Sequence, residues 1–303
     1  MSAGGPQPVK SGFAAVVGKP NVGKSSLINS LVGAKVSIVS DKPQTTRNKI
    51  AAIANLPDAQ VVFLDTPGIH RARHNLGDRL VRTARSAMAE VDLIVFVADA
   101  TSSGRPEDEV VASYIAEVDT PAWLVINKID AVRPEQLAEA EARSRRLARF
   151  ERVRLVSAAT GQNLQGLASE IASVMPDGPM YYPRDAVVDR PEEFLAAELI
   201  REKLLSLTRE EVPHSLAVVI DRMARREDRD IVDIDATVLV ERDSHKGIVI
   251  GAGGRVLKQA GVMARSEIER LLGSQVNLQL WVKVRRRWRD DESMLDRLGF
   301  GEH

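Results

Sequence analysis

The segment Gly18-Lys19-Pro20-Asn21-Val22-Gly23-Lys24-Ser25 constrains the fold of this chain more than any other. It is a complete G-x-x-x-x-G-K-S loop set directly after the apolar run Phe13-Ala14-Ala15-Val16-Val17. A buried strand, a glycine-rich turn and a helix in that order converge successive backbone N–H groups, and the helix aims the positive end of its dipole at the same point. The occupant that fits is a polyphosphate. Gly18, Lys19, Pro20, Asn21, Val22 and Gly23 are expected to line it, Lys24 to reach the β- and γ-phosphates, and Ser25 to place its hydroxyl on Mg2+.

The base is read further along. Asp65-Thr66-Pro67-Gly68 follows the run Val61-Val62-Phe63-Leu64, which puts a carboxylate at the carboxyl end of a buried strand, where parallel sheets keep their ligand crevices. Asp65 is expected to hold Mg2+ through water, and the backbone N–H of Gly68 to meet the γ-phosphate. Asn127-Lys128-Ile129-Asp130 ends a further run, Trp123-Leu124-Val125-Ile126. The Asp130 carboxylate matches the paired donors of guanine, and adenine offers no such pair; the wrong base costs roughly 2–5 kcal/mol in unmet hydrogen bonds. Asn127 fastens the loop, the stem of Lys128 covers the base, and Ser157-Ala158 supplies a backbone donor to the guanine carbonyl. The four pieces in this order predict a site for GTP and GDP.

Between the phosphate loop and Asp65 lies the polar stretch Ser40 to Asn48, the natural first switch. Thr46 is the candidate to close on Mg2+ when the γ-phosphate is present, with Thr45 its nearest competitor. Lys24, Thr46 and Gly68 form the catalytic set. Ile69 stands where many small GTPases carry a water-orienting glutamine, so a partner, a backbone group or a cation must take that role and intrinsic turnover is slow. Asn21 is the candidate ligand for such a cation, K+.

Composition bounds the rest. The chain has 303 residues, 44% hydrophobic, no cysteine and a net charge of zero. That length suits two domains with proper cores. Without cysteine there is no disulfide, no thiolate metal site and no thiol nucleophile, which suits a reducing cytosol. No apolar run approaches a membrane span, which leaves only peripheral membrane contact open; the expected protein is cytoplasmic and monomeric. Positive charge is concentrated late: Glu241 to Asp290 carries eleven Lys/Arg against five Asp/Glu, whereas Tyr182 to Val240 carries nine against fourteen.

Apolar strands alternate with amphipathic helical stretches such as Pro134 to Phe150, which predicts an α/β fold with a doubly wound, mostly parallel sheet over residues 11–175 after a flexible start at 1–10. Pro176, Pro179, Pro183 and Pro191 place a linker at 176–190. Over 191–303 the pattern is a helix to about Thr208, strands at His214–Arg222 and Ile231–Glu241, and a last strand at Val276–Val284. A short helix, the turn Gly251-Ala252-Gly253-Gly254 and a long helix to Leu272 separate the last two strands. This is the order of a smaller α+β type II KH module, whose G-x-x-G turn clamps single-stranded RNA by its backbone. Lys246, Gly251, Ala252, Gly253, Gly254, Arg255 and Lys258 are the candidate RNA contacts, joined by Arg285, Arg286 and Arg287 of the tail. Trp288, amid those arginines, stacks on a base or anchors the tail.

Taken together, the phosphate loop with Asn21, the Gln44-Thr45-Thr46-Arg47 switch, Asp65 to Gly68, Asn127 to Asp130, the Gly251 to Gly254 turn and Leu280-Trp281-Val282-Lys283-Val284 resemble the Era family of bacterial KH-domain GTPases, over nearly everything after Lys10. The resemblance implies binding to the 3′ end of 16S rRNA, assistance in 30S ribosomal subunit biogenesis, and in some members peripheral association with the inner membrane. Ala252 departs from the pattern, since many members carry a basic residue in the turn; Arg255 and Lys258 are placed to compensate. The alternative is a signalling GTPase whose carboxy-terminal module binds a protein or an anionic membrane surface. An RNA-modifying enzyme is disfavoured, because no thiol or metal cluster supplies further chemistry.

Overall fold

A computed structural model describes residues 9–42, 45–69, 75–209 and 211–300; Pro43 and Gln44 of the switch stretch lie outside them. The chain forms two compact units, one of residues 1–37, 46–73 and 77–189, the other of residues 38–45, 74–76 and 190–303.

The first unit is built on long apolar runs that no amphipathic pattern interrupts. Strands β1 (Val9–Val17), β2 (Ile50–Leu56), β3 (Ala59–Asp65), β4 (Leu93–Asp99), β5 (Ala122–Asn127) and β6 (Arg152–Leu155) lie in the order β2-β3-β1-β4-β5-β6, parallel except for β2; a short seventh strand pairs antiparallel with the start of β1. Every residue of β3, β4 and β5 is buried, as a sheet covered on both faces requires. Alternation along each strand divides the core in two. Ala14, Val16, Phe63, Val95 and Trp123 face one layer, and Ala15, Val17, Leu64, Phe96 and Leu124 face the other. Helices α1 (Lys24–Val32), α2 (Asn75–Ala89), α3 (Pro106–Ile115), α4 (Pro134–Arg145) and α5 (Leu164–Val174) connect the strands.

Three boundaries differ from the sequence reading. Strand β1 begins at Val9, inside the stretch expected to be a flexible start, because Val9 and Lys10 pair with the short strand β7 (Asp177–Gly178) and Lys10 forms an ion pair with Asp177. Helix α4 stops at Arg145 rather than near Phe150: the N–H groups of Arg146 and Leu147 turn back to Arg143 and Ser144, and Phe150 stacks on Phe96. The proline-rich segment after Met175 is laid along the sheet. Gln60 receives the N–H groups of Tyr181 and Tyr182, and Val187 and Asp189 hydrogen-bond the outer edge of β2.

In the second unit, α6 (Glu192–Leu207) and the four-residue α7 (Val212–Ser215) precede β8 (Ala217–Arg225) and β9 (Ile231–Val240). They are followed by α8 (Asp243–Ile250), the glycine turn, α9 (Arg255–Leu272), β10 (Gln275–Val284) and α10 (Glu292–Arg297). The sheet order is β10-β9-β8, with β10 parallel and β8 antiparallel to β9. The expected strand start at His214 moves to Ala217, since Pro213 sits in the first turn of α7, where its fixed φ favours a helix. Alternate residues of β9 and β10, among them Ile234, Ala236, Val276 and Val282, face a core closed by Ile200, Leu204, Ala264 and Ile268.

Candidate functional site

The phosphate loop leaves β1 and enters α1 at Gly23, whose φ of 94° lies in the left-handed region and whose missing side chain admits Asn127: a Cβ there would stand 2.3 Å from Asn127 Nδ2. Lys24 is buried and folds back over the loop, donating to the carbonyls of Gly18 at 3.1 Å and Lys19 at 3.0 Å. Burial lowers its ammonium to about 8, with the nearby Asp65 pulling the other way.

Ser25, Thr46 and Asp65 meet at one point. Ser25 Oγ lies 2.9 Å from both Thr46 Oγ1 and Asp65 Oδ2, and Thr46 Oγ1 donates to the same carboxylate oxygen at 3.3 Å. Burial pushes the Asp65 carboxyl above its ordinary range, against the opposing charge of Lys24 and the nearby hydroxyls of Ser25, Ser37 and Thr46. Its second oxygen, Oδ1, is buried with no hydrogen-bond partner. Two hydroxyls and a carboxylate with an unmatched oxygen are a donor set for a hard divalent cation such as Mg2+. The structure separates the two switch candidates: Thr45 turns its hydroxyl to Lys42 O at 2.6 Å and belongs to the second unit, while Thr46 joins the cluster. Thr66 Oγ1 bonds Val16 O, Ile69 N–H reaches Gly18 O, and Gly68 packs beside Pro20. Ile69 itself is 1% exposed and sits in the core, so it presents nothing to the phosphate side.

The base-recognition loop is braced across the site. Asn127 Nδ2 donates to Val22 O, and Asn127 Oδ1 accepts the N–H of Ala158, each at 2.9 Å. Ser157 N–H is bonded to Gln162 O. The turn at Ser157 and Ala158 therefore braces Asn127 in this structure, and a guanine carbonyl would have to share the Ala158 donor. Lys128, at φ 63°, sends its amine to Asn21 O at 2.7 Å and Asp99 Oδ2 at 2.6 Å, while Asp130 is exposed on the short turn that follows. Burial alone would raise the Asp99 carboxyl, but the bonds from Lys128 and Thr101 hold it below its usual range.

Two residues of this site escaped the sequence reading. Asp99 ends β4 as Asp65 ends β3, a signal that was available. Asp108 had none: it is fully buried, takes the Lys19 amine at 2.8 Å, and so turns that side chain away from the phosphate cradle, leaving Lys19 only its backbone to offer.

In the second unit the turn between α8 and α9 holds Gly251, Gly253 and Gly254 at φ 72°, 61° and 79°. Ala252, Gly253, Arg255 and Lys258 are exposed, and Lys246 is half-buried on α8. The turn opens an 18-residue helix, which adds a dipole favourable to phosphate. The tail divides: Arg285, Arg286 and Arg287 are exposed, each beside a carboxylate (Asp291 at 3.0 Å, Asp243 at 4.0 Å and Asp290 at 3.8 Å), whereas Arg289 is turned inward onto Glu241. Trp288 is fully buried and donates its indole N–H to Ser215 O at 2.9 Å, which excludes it from stacking on a base.

A mostly parallel sheet with a phosphate loop, a Ser-Thr-Asp cluster and an Asn-Lys-x-Asp loop, followed by a KH sheet, defines a P-loop GTPase carrying a KH domain. The sequence agrees: residues 13–128 match the family described as 50S ribosome-binding GTPase, and residues 211–289 match the KH domain. GTPase Era of Alkaliphilus metalliredigens (strain QYMF) and that of Alkaliphilus oremlandii (strain OhILAs) are each 47% identical over 96% of this chain and 99% of their own length. A crystal structure of Era in complex with MgGDPNP and nucleotides 1506–1542 of 16S ribosomal RNA superposes with a TM-score of 0.93 at 39% identity, covering 97% of this chain and 100% of that one. A variant of Aquifex aeolicus Era bound to GDP.AlF4- superposes at 0.92 with the same identity and coverage. The chain belongs to the Era family of GTPases.

Proposed function

We propose that this protein is a GTP-hydrolysing switch that binds the 3′ end of 16S rRNA and assists assembly of the 30S subunit. The observation that carries the reading is the meeting of Ser25, Thr46 and Asp65 beside a buried Lys24, in a chain that also presents an open G-x-x-G turn. A relative similar over nearly its whole length is described with MgGDPNP and 16S rRNA together, which supports the same pair of ligands here.

In this reading Lys24 leaves the carbonyls of Gly18 and Lys19 for the β- and γ-phosphates, where the anion favours its charged form. Ser25 and Thr46 hold Mg2+ with Asp65 behind them; the ion, when bound, neutralises charge between the phosphates. The backbone of Gly68 meets the γ-phosphate, Asp130 reads guanine, and the buried Ile69 leaves the attacking water to other groups. Asn21 is a candidate for a K+ ion at the exposed edge of the loop. Lys246, Arg255, Lys258 and the exposed Arg286 and Arg287 meet RNA phosphates, while Gly251 to Gly254 clamp the backbone. We assign the GTPase domain, expected at 11–175, to the stretch from Val9 to Asp189, because the segment 176–189 is laid along its sheet, and residues 190–303 to the KH domain. The protein works as a cytoplasmic monomer, and vesicle pelleting tests for peripheral contact at the inner face of the membrane.

A direct test is a salt series of gel shifts with a fragment of the 3′ end of 16S rRNA, a scrambled strand and a large-subunit rRNA fragment, beside pelleting with anionic vesicles. The expected result is salt-dependent binding that prefers the 16S fragment. Equal binding to all three RNAs, or capture by vesicles alone, would overturn the RNA assignment.

A further inference from the structure

Helix α6 buries three consecutive charged residues: Arg201, Glu202 and Lys203 are 2%, 6% and 8% exposed. Neighbours on a helix point about 100° apart, so a buried charged triplet means that the helix is covered on several sides and that each charge is matched by a separate partner. Each one is. Glu202 Oε1 accepts the N–H of Val39 at 2.9 Å. The Arg201 guanidinium, aimed by Glu198 at 2.6 Å and 2.7 Å, donates to the carbonyl of Thr45. Lys203 bonds Glu202 and reaches Glu267 on α9. Val39 and Thr45 are thus held by α6 within the second unit, and Ile38 adds to that unit's core.

Arg201 gives something an aliphatic residue would not. Its Nη1 is buried and unpartnered, so the guanidinium carries an unrecovered desolvation cost that simple packing would avoid. The return is a bond to one chosen carbonyl, one peptide bond ahead of Thr46. We propose that Arg201 and Glu202 are positioning residues of the nucleotide switch. Fixing Thr45 and Val39 holds the segment so that Thr46 stands at the Ser25–Asp65 cluster, and Lys203 with Glu267 ties the same clamp to the helix that opens at the G-x-x-G turn. The inference rests on the role given to Thr46 above and names the groups through which RNA at the turn would act on hydrolysis.

The test is Arg201→Met, which keeps most of the side-chain volume and removes the donors, with Arg201→Lys as the conservative variant. GDP affinity should stay within about twofold, because base and diphosphate contacts are untouched. The Mg2+-dependent preference for a non-hydrolysable GTP analogue over GDP and the kcat for GTP should each fall about tenfold with little change in KM, and a short RNA matching the 3′ end of 16S rRNA should lose its effect on both. Arg201→Lys should restore part of the loss. Unaltered preference and kcat in Arg201→Met would overturn the clamp. A wild-type protein with no Mg2+-dependent preference would instead overturn the role of Thr46. Amide exchange in the wild type covers the case of a misfolded variant: Val39 N–H should exchange slowly, and exchange at the rate of an open loop would count against the bond to Glu202.

Discussion

Lys24 answers to two demands at the scale of a single residue. It must be charged to hold phosphate, yet burial lowers its ammonium to about 8. Its pKa in the folded chain is below the unfolded value, so keeping it charged costs stability below about pH 8, on the order of 3 kcal/mol, and the cost is relieved as pH rises toward 10.5. Above about pH 8 the nucleotide-free protein is expected to release this proton, and a bound triphosphate to return it. GTP binding at pH 9 should therefore take up a proton, seen by calorimetry as a binding enthalpy that changes with the ionisation enthalpy of the buffer. An enthalpy independent of buffer would mean that Lys24 stays charged without nucleotide. Motif residues such as Lys24, Asp65 and Asn127 were legible in the sequence because spacing and a preceding apolar run place them locally. Asp108 and Arg201 were not, since their partners lie 89 and 156 residues away and nothing nearby marks them.

At the scale of elements, the turn before α9 separates two roles of glycine. A Cβ on Gly251 would stand 2.5 Å from Val256 Cγ2, whereas Gly253 faces open space at φ 61°, a conformation that Asp tolerates better than most residues. Ala252→Asp with Gly253→Asp should therefore fold, keep RNA-independent GTP hydrolysis within about twofold, and weaken single-stranded RNA binding by more than about tenfold through two carboxylates set against phosphate. Unchanged RNA affinity in this variant would remove the turn from the interface. Buried strands β3, β4 and β5 could be read as continuous apolar runs, and α9 from its helical periodicity. The start of β8 could not, because Leu216, Val218 and Ile220 alternate as a strand would while Pro213 and Val212 are claimed by α7. Nor could the fate of Trp288, which depends on the distant Ser215 carbonyl.

For the whole molecule, the proposed function puts γ-phosphate sensing in one unit and RNA binding in the other, so each ligand should alter the affinity of the other by the same factor. A coupling of about 1–2 kcal/mol, or about 5- to 30-fold, overcomes thermal mixing while staying reversible by hydrolysis. RNA titrated into protein held with GDP and with a non-hydrolysable GTP analogue measures it directly; identical affinities would leave two tethered but independent modules. The strap at 186–189 carries a different kind of consequence. It closes the outer edge of β2, an edge that otherwise offers unpaired backbone to any neighbouring chain. During synthesis that edge stays open until residue 189 has been made, after the last helix of the sheet, so the GTPase unit is closed only as the main stretch of its partner unit begins to be made. A truncation ending at Met175 would display the bare edge and aggregate, whereas one ending just beyond Asp189 carries its own cover.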